Sequence, residues 1–439
     1  MVHLGTGCLR RLSQGDKTAE IRFGRLLRHP KVTLERLVDG WSTRTAAAVA
    51  GRHVLAIQDT TELNFRTSKG HERGLGAIGK GVGRGLLLHP MIALDAGTGE
   101  CLGLVGGSLW SREPPEPGKA PKKKQNNARR PLEEKESRHW VETAQQAKTV
   151  LSAAAMVTLI ADREADLYPM WASLPGPKVH VLGRVRHDRK LANGDTLYTA
   201  PASWPVLGRR KIDIRERPDR PARTAELEVR AGTVIIQRPL EPRESDLPDY
   251  TTMTLVEVTE PAPPEGAEPL IWRLLTTHTA TDAEAAWQIV DWYRARWTIE
   301  QFFRILKQQG IRIEDSQVET ADRLLKLAAI ATHAAVVTLQ LTQARDGQAT
   351  LDAARVFSPD ELNTLEAVNH NYTRPRSGKG NPFPSRSLPW AAWIIARLGG
   401  WDGSQARTAK PAGPITFKHG LDQLKTMAKG WRLREKYIP

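Results

Sequence analysis

The stretch Asp291–Gly310, DWYRARWTIEQFFRILKQQG, carries a phenol, two cations and a carboxylate at helical spacing, at Tyr293, Arg296, Glu300 and Lys307. At about 100° per residue, an α-helix sets all four within an arc of about 60°. Trp292, Ile299, Phe302, Phe303 and Leu306 fall on a neighbouring face, the apolar stripe by which a helix docks on a core. A polar row beside a packed face suits the wall of a cleft. There a carboxylate can hold a metal ion, and Arg and Lys can hold anions. The plainer alternative is a solvated helix whose Arg296 and Glu300 form an i,i+4 pair worth roughly a few tenths of a kcal/mol.

Two aspartates upstream shift the balance. Val54–Ile57 is a short apolar run that ends in Gln58-Asp59-Thr60-Thr61, and Met156–Ala161 (MVTLIA) is another that ends at Asp162. If the two strands are parallel, both carboxylates stand at one edge of the sheet. Joined by Glu300 from a helix packed on that sheet, they make a hard-oxygen site for Mg2+ or Mn2+, with two ions. Ions about 4 Å apart activate a water or a 3′-hydroxyl and stabilise the leaving oxygen of a phosphodiester. Each aspartate taken singly has a local alternative: Asp59 could open a turn with Thr60, and Asp162 could cap a helix starting at Arg163.

The elements around these residues follow from periodicity and turn chemistry. Residues 1–50 read as basic and helical, with a break at Pro30. Leu86–Leu94 and Leu102–Leu109 read as strands joined by Asp95-Ala-Gly-Thr-Gly99, a hairpin signal. Glu133–Ala155 reads as a helix, Arg163–Leu174 as a second helix, and Val179–Val185 as a strand. That order is the order of an α/β, ribonuclease H-like (retroviral integrase-like) core that still lacks its closing helix. Before that helix come short runs in residues 186–277 (Lys211–Arg215, Ala225–Arg230, Thr233–Arg238, Met253–Val258, Leu270–Thr277), an all-β insertion by their turn signals. A helix over Asp282–Gln309 then closes the core. Past Gly310 the chain reads as helical at Thr320–Ala344, Pro359–Val368, Leu388–Leu398 and Leu421–Tyr437. The expected division is 1–50, 51–310 and 311–439.

Three polar, Gly- or Pro-rich stretches punctuate this plan: Gly70–Gly85, Glu113–Pro131 and Thr373–Ser387. Gly70–Gly85 is glycine-rich and basic, but it opens no helix and lacks a Gly-Lys-Ser/Thr ending, so it reads as a mobile basic loop and no nucleotide cofactor is expected. Glu113–Pro131 has no means of burying a core and reads as a disordered insertion.

Among the 439 residues, Lys and Arg number 64 against 49 Asp and Glu, a net charge of +15 that suits a polyanion, nucleic acid first. Cys8 and Cys101 are the only cysteines, which excludes a disulfide framework and fits a cytoplasmic setting. The start of the chain lacks the apolar run of a signal peptide. Leu324–Leu341 is interrupted by Lys326, Thr332, His333 and Gln340, so it reads as a core helix and no membrane partner is expected.

QDTTELNF (Gln58–Phe65), ADREADLY (Ala161–Tyr168) and the Tyr293-x2-Arg296-x3-Glu300-x6-Lys307 pattern together closely resemble the bacterial insertion-sequence transposases of family four, the group of the transposon-five transposase. EKES before Trp140 and IARLGG at Ile395–Gly400 extend the resemblance from about Arg22 to the C-terminus. It implies that Asp59, Asp162 and Glu300 are the metal-binding catalytic residues of a DDE-type enzyme that performs cut-and-paste transposition. It further implies that Tyr293, Arg296 and Lys307 hold phosphates near the transposon end, and that Arg163, Arg184 and Arg186 contact DNA near the active site. Trp272 would stack on a flipped base, although a core tryptophan is the alternative. The implied partners are double-stranded DNA, as element ends and target, and a second copy of the chain joined through the helical C-terminal region. Family members carry a longer N-terminal helical domain, whereas only the residues before Arg22 precede the similar region here. The competing expectation is therefore a shortened, non-catalytic inhibitor that dimerises with full-length transposase.

Overall fold

A computed structural model of the chain describes residues 1–65, 73–79, 83–113, 130–214, 216, 222–240, 246–372, 380–402 and 411–437. Parts of Gly70–Gly85, most of Glu113–Pro131 and the start of Thr373–Ser387 lie outside the described residues. The strands, in chain order, are β1 (His53–Gln58), β2 (Thr61–Asn64), β3 (Ala77–Ile78), β4 (Gly83–Asp95), β5 (Cys101–Trp110), β6 (Met156–Ala161), β7 (Val179–Arg184), β8 (Gly208–Ile214), β9 (Arg223–Gln237), β10 (Tyr250–Thr259) and β11 (Ile271–Thr276). They are distributed over two compact units, one of residues 1–50, 60–121 and 298–439 and the other of residues 51–59 and 122–297.

The second unit is mixed α/β and is built on one mixed sheet. β1, β6 and β7 run parallel, with Val54 against Val157 and Ile160 against Leu182. Val157–Ala161 is buried at every position, as expected of a parallel strand covered on both faces. β7 then pairs antiparallel with β11, and β10, β9 and β8 follow in order. The β-rich segment thus continues the same sheet. The two runs expected at Ala225–Arg230 and Thr233–Arg238 are one strand, β9, because β10 pairs with it without interruption from Thr259–Glu228 to Tyr250–Gln237. Gly232 is not a break. It lets the Trp204 indole lie on the backbone, where a Cβ would come within 2.7 Å of the ring.

Two of the expected helices differ. Arg163–Leu174 is a 3-10 turn at Arg163–Ala165 followed by a separate helix, Tyr168–Ser173, with Pro169 in its first turn. Asp166 leaves the helical path between them (φ −70°, ψ 69°) and turns its carboxylate to the backbone N–H groups of Arg186 and His187, at 2.8 and 2.9 Å. The helix expected over Asp282–Gln309 is an α-helix at Ala283–Ala295, a second at Trp297–Arg304 and a π-helical turn at Ile305–Gln309. At the first junction the Arg296 N–H donates to Tyr293 O, the tighter i−3 closure of a helix end. One α-helical row of four residues therefore does not exist as such.

The first unit holds the antiparallel β4–β5 hairpin, whose turn is fastened by the Asp95 carboxylate accepting from Gly97 and Thr98 N–H, with Gly99 at φ 71°. β2 and the short β3 both pair with β4 and gave no clear sequence signal. Ala321–Ala344 is long and apolar enough to cross a membrane by length and composition alone, but 78% of that window is buried inside the protein. Trp41 donates its indole N–H to Ala329 O on this helix, and Leu388–Leu398 and Pro414–Tyr437 pack with it. Gly420 permits the last two to touch, since a Cβ there would meet Ile395 O at 1.9 Å.

Candidate functional site

The parallel register brings two of the sequence-predicted carboxylates together. Asp59 follows directly on β1 and Asp162 directly on β6, and the last recorded partners are Ile57 and Ile160. Two further residues along each strand set Asp59 beside Asp162. The β6–β7 register, with Ala161 against Gly183, sets Asp162 beside Arg184 in the same way. One row at the carboxyl ends of neighbouring parallel strands thus reads Asp59, Asp162, Arg184.

Asp59 is 8% exposed, and its Oδ2 accepts from Arg296 Nη1 at 2.8 Å. A buried carboxylate needs such a partner, because desolvating it alone is costly. Asp162 caps the following 3-10 turn, its Oδ1 accepting from the Glu164 N–H at 2.7 Å. The capping alternative for Asp162 thus coexists with its strand-end placement. Tyr293, one turn before Arg296, is half-buried, and its desolvation pushes its hydroxyl pKa up. Arg296 and Arg184 pull it down, and Asp162 raises it further. Tyr293, Arg296, Arg184, Asp59 and Asp162 are therefore one electrostatic group within the second unit.

Arg163, Arg184 and Arg186 line a cleft of about 210 Å³ together with Tyr198, Ile271 and Arg273. Trp272 is half-buried on β11 with Val258 opposite and is not part of that lining. Sequence reasoning missed Asp166, Tyr198 and Arg273. Asp166 is buried, and besides the two backbone groups it accepts from Arg189 Nε and Nη2 at 3.0 and 2.7 Å, which fixes the loop carrying Arg186. Its position four residues after Asp162 in ADREADLY was the only available signal, and the same acidic residue reads equally well as a solvated helix charge.

Glu300 and Lys307 belong to the first unit. Glu300 sits on Trp297–Arg304, which buries Ile299, Phe302 and Phe303. Lys307 lies in the π-helical turn. Burial lowers its ammonium pKa, while Glu314, Glu62 and Glu300 act in the opposite sense. Glu62 and Glu314 are held by backbone donors, Gly79 N–H at 2.7 Å and Asn64 N–H at 2.8 Å.

The donor chemistry of Asp59 and Asp162 fits a hard divalent ion, which takes one or two carboxylates and completes its shell with water and substrate phosphate. Among the described residues no group of three or more His, Cys, Asp or Glu side chains could hold a metal. Arg296 supplies the positive charge that Asp59 meets in this structure.

Residues 121–337 match the transposase DDE domain family. Asp162, Glu300 and the Tyr293, Arg296 and Lys307 positions fall inside that segment, and Asp59 precedes it. The chain is also similar to a chain of the piggyBac transposase synaptic complex with hairpin DNA, seen by cryo-EM, at 12% identity and a TM-score of 0.36. That likeness covers 87% of this chain and 59% of the other, so the chain spans about three-fifths of its length.

Proposed function

We propose that the protein is a DDE-type DNA transposase with a ribonuclease H-like core, and that Asp59, Asp162 and Glu300 hold Mg2+ or Mn2+, two ions in all. The observation that supports this most is the placement of Asp59 and Asp162 at the carboxyl ends of parallel neighbours, in a chain whose residues 121–337 match the transposase DDE domain. When bound, the ions would supply activation of an attacking oxygen and stabilisation of the leaving one.

The protein's own residues have distinct tasks in this reading. Arg296 pairs with Asp59 and meets its charge before any ion binds. The Tyr293 hydroxyl stays protonated at neutral pH and serves as a hydrogen-bond donor to a phosphate oxygen. Arg163, Arg184 and Arg186 hold the strand near Asp162, and Lys307 is a further proposed phosphate contact. Trp272 is the proposed platform for an extruded base. The reaction is hydrolysis of a phosphodiester at the element end, attack of the freed 3′-hydroxyl on the opposite strand to close a hairpin, hydrolytic opening, and attack of the 3′-hydroxyl on target DNA. A dimer of the chain, joined by its C-terminal helices, would bridge two ends.

Glu300→Gln tests the third carboxylate. The variant is expected to bind duplex DNA like the unmodified chain and to yield neither nick nor hairpin with Mg2+. Normal cutting would remove Glu300 from the set.

A further inference from the structure

Lys307 is half-buried in the π-helical turn Ile305–Gln309, and among the described residues no carboxylate lies within ion-pair distance of it. The chain after that turn doubles back by a fixed route. The Ile311 N–H donates to Ile305 O at 2.9 Å, and Arg312 takes the left-handed conformation (φ 51°, ψ 51°), which strains a residue with a Cβ. A 3-10 turn at Ile313–Asp315 follows, and its Glu314 Oε1 accepts from the Asn64 N–H on β2 at 2.8 Å. Two residues before Asn64, on the same face of β2, Glu62 Oε1 accepts from the Gly79 N–H at 2.7 Å. Arg73 fastens the region again, donating from Nη1 to Ser316 O at 3.3 Å and accepting at its carbonyl from the Ala321 N–H at 2.9 Å. Each glutamate thus has one carboxylate oxygen tied to a backbone N–H, and its second oxygen has no hydrogen-bond partner among the described residues. After burial, Glu314 and Glu62 are the strongest influences on the Lys307 ammonium, ahead of Glu300.

We propose that Glu62 and Glu314 are positioning residues for Lys307: two carboxylates anchored at β2 confine its ammonium and repel phosphates that approach off line, so that Lys307 meets a single phosphate of a DNA strand. The inference rests on the proposed phosphate contact of Lys307 and deepens it. A lysine is a point charge on a flexible stem and by itself suits any phosphate within reach. Fixed negative charges nearby change that in two ways. They draw the ammonium toward one place, and they disfavour every phosphate position except the one that avoids them. Because neither carboxylate pairs with the ammonium directly, its donors stay available to that phosphate. Glu62 lies in QDTTELNF, three residues after Asp59, and had no role in the reading of that stretch.

The test measures binding of the full chain, without divalent ions, to a duplex bearing the element's own end, with single phosphates replaced in turn by uncharged methylphosphonates. The unmodified chain is expected to show one position whose replacement weakens binding about tenfold, the scale of one charge-assisted contact, and whose effect disappears in Lys307→Met. Glu62→Gln with Glu314→Gln removes both charges, while each amide oxygen can still accept from Gly79 or Asn64. In that double variant the effect is expected to spread over neighbouring phosphates, each worth less than about threefold. An unchanged single position in the double variant overturns the proposal, and it is the result that a purely structural role of the two glutamates predicts. So does an unmodified chain with no position that depends on Lys307. A second readout needs no DNA. Acetylation of the free chain, followed by mass spectrometry, is expected to modify Lys307 about threefold faster in the double variant, because its amine is then less confined and less readily protonated, with Lys148 of the other unit unchanged. An equal Lys307 rate in the two chains overturns the proposal as well. Cleavage is not read here, so an unmodified chain that fails to cut DNA with Mg2+ counts against the transposase reading alone.

Discussion

Arg296 donates from Nη1 to Asp59 Oδ2 at 2.8 Å, joining a residue at a helix junction to the residue that directly follows β1, with both side chains nearly buried. Breaking a buried pair from one side leaves an uncompensated charge and costs about 3–5 kcal/mol. Arg296→Gln should lose stability on that scale in urea unfolding without divalent ions. Added Mg2+ should restore part of it, because Asp59 then meets another cation. A variant as stable as the parent would show that the pair contributes nothing.

Asp166 should matter for a different reason. It holds Arg189 and two backbone N–H groups of the loop that presents Arg186. Asp166→Ala is expected to cost about 3–5 kcal/mol through the stranded Arg189, and to weaken DNA binding through the loop. Asp166→Asn, which keeps the acceptor oxygen, should bind DNA better than the alanine variant. Equal DNA binding by both variants would dissociate the loop from the carboxylate.

A histidine cluster in the second unit gives the fold an acid limit. Thr158 Oγ1 lies 2.7 Å from His278 Nε2 and 2.8 Å from His53 Nε2, and the His180 ring stacks on His278 at 3.9 Å. Burial, then His180 and His53, push the His278 pKa down from 6.5 to about 3. The unfolded chain binds the proton first, so this contribution is fully present above pH 6.5 and declines as pH falls toward 3. Each proton taken up only on unfolding changes stability by about 1.4 kcal/mol per pH unit. Denaturant unfolding from pH 7 to pH 5 should show that decline, and His278→Gln should flatten it. An unchanged slope in the variant would place the titration elsewhere.

Gly232 offers a packing test away from charge. Gly232→Ala forces a methyl group against the Trp204 indole. Overpacking of this kind costs about 1–3 kcal/mol. Pairing Gly232→Ala with Trp204→Leu should recover part of the loss in a double-mutant comparison.

The strand ends that carry Asp59 and Asp162 were legible because five consecutive buried positions leave a parallel strand little alternative, and Met156–Ala161 and Leu388–Leu398 have the bounds expected for them. The helix junction at Arg296 was not legible: no Pro or Gly marks it, and a single 3.6-residue periodicity ran through it. β9 was read as two strands because Gly232 signals a break unless the Trp204 ring above it is known. Asp166, Tyr198 and Arg273 acquire their arrangement through contacts distant in sequence, such as Arg189, Arg186 and Glu257, which local spacing cannot supply.

The central claim is that Asp59 and Asp162 act together in cutting DNA. It is tested most directly by incubating a labelled duplex bearing the element's own end with the unmodified chain, Asp59→Asn and Asp162→Asn in Mg2+, with DNA binding measured in parallel. The account predicts a nick and a hairpin from the unmodified chain alone, and comparable binding by all three. Cutting by either variant at the parental rate would contradict it.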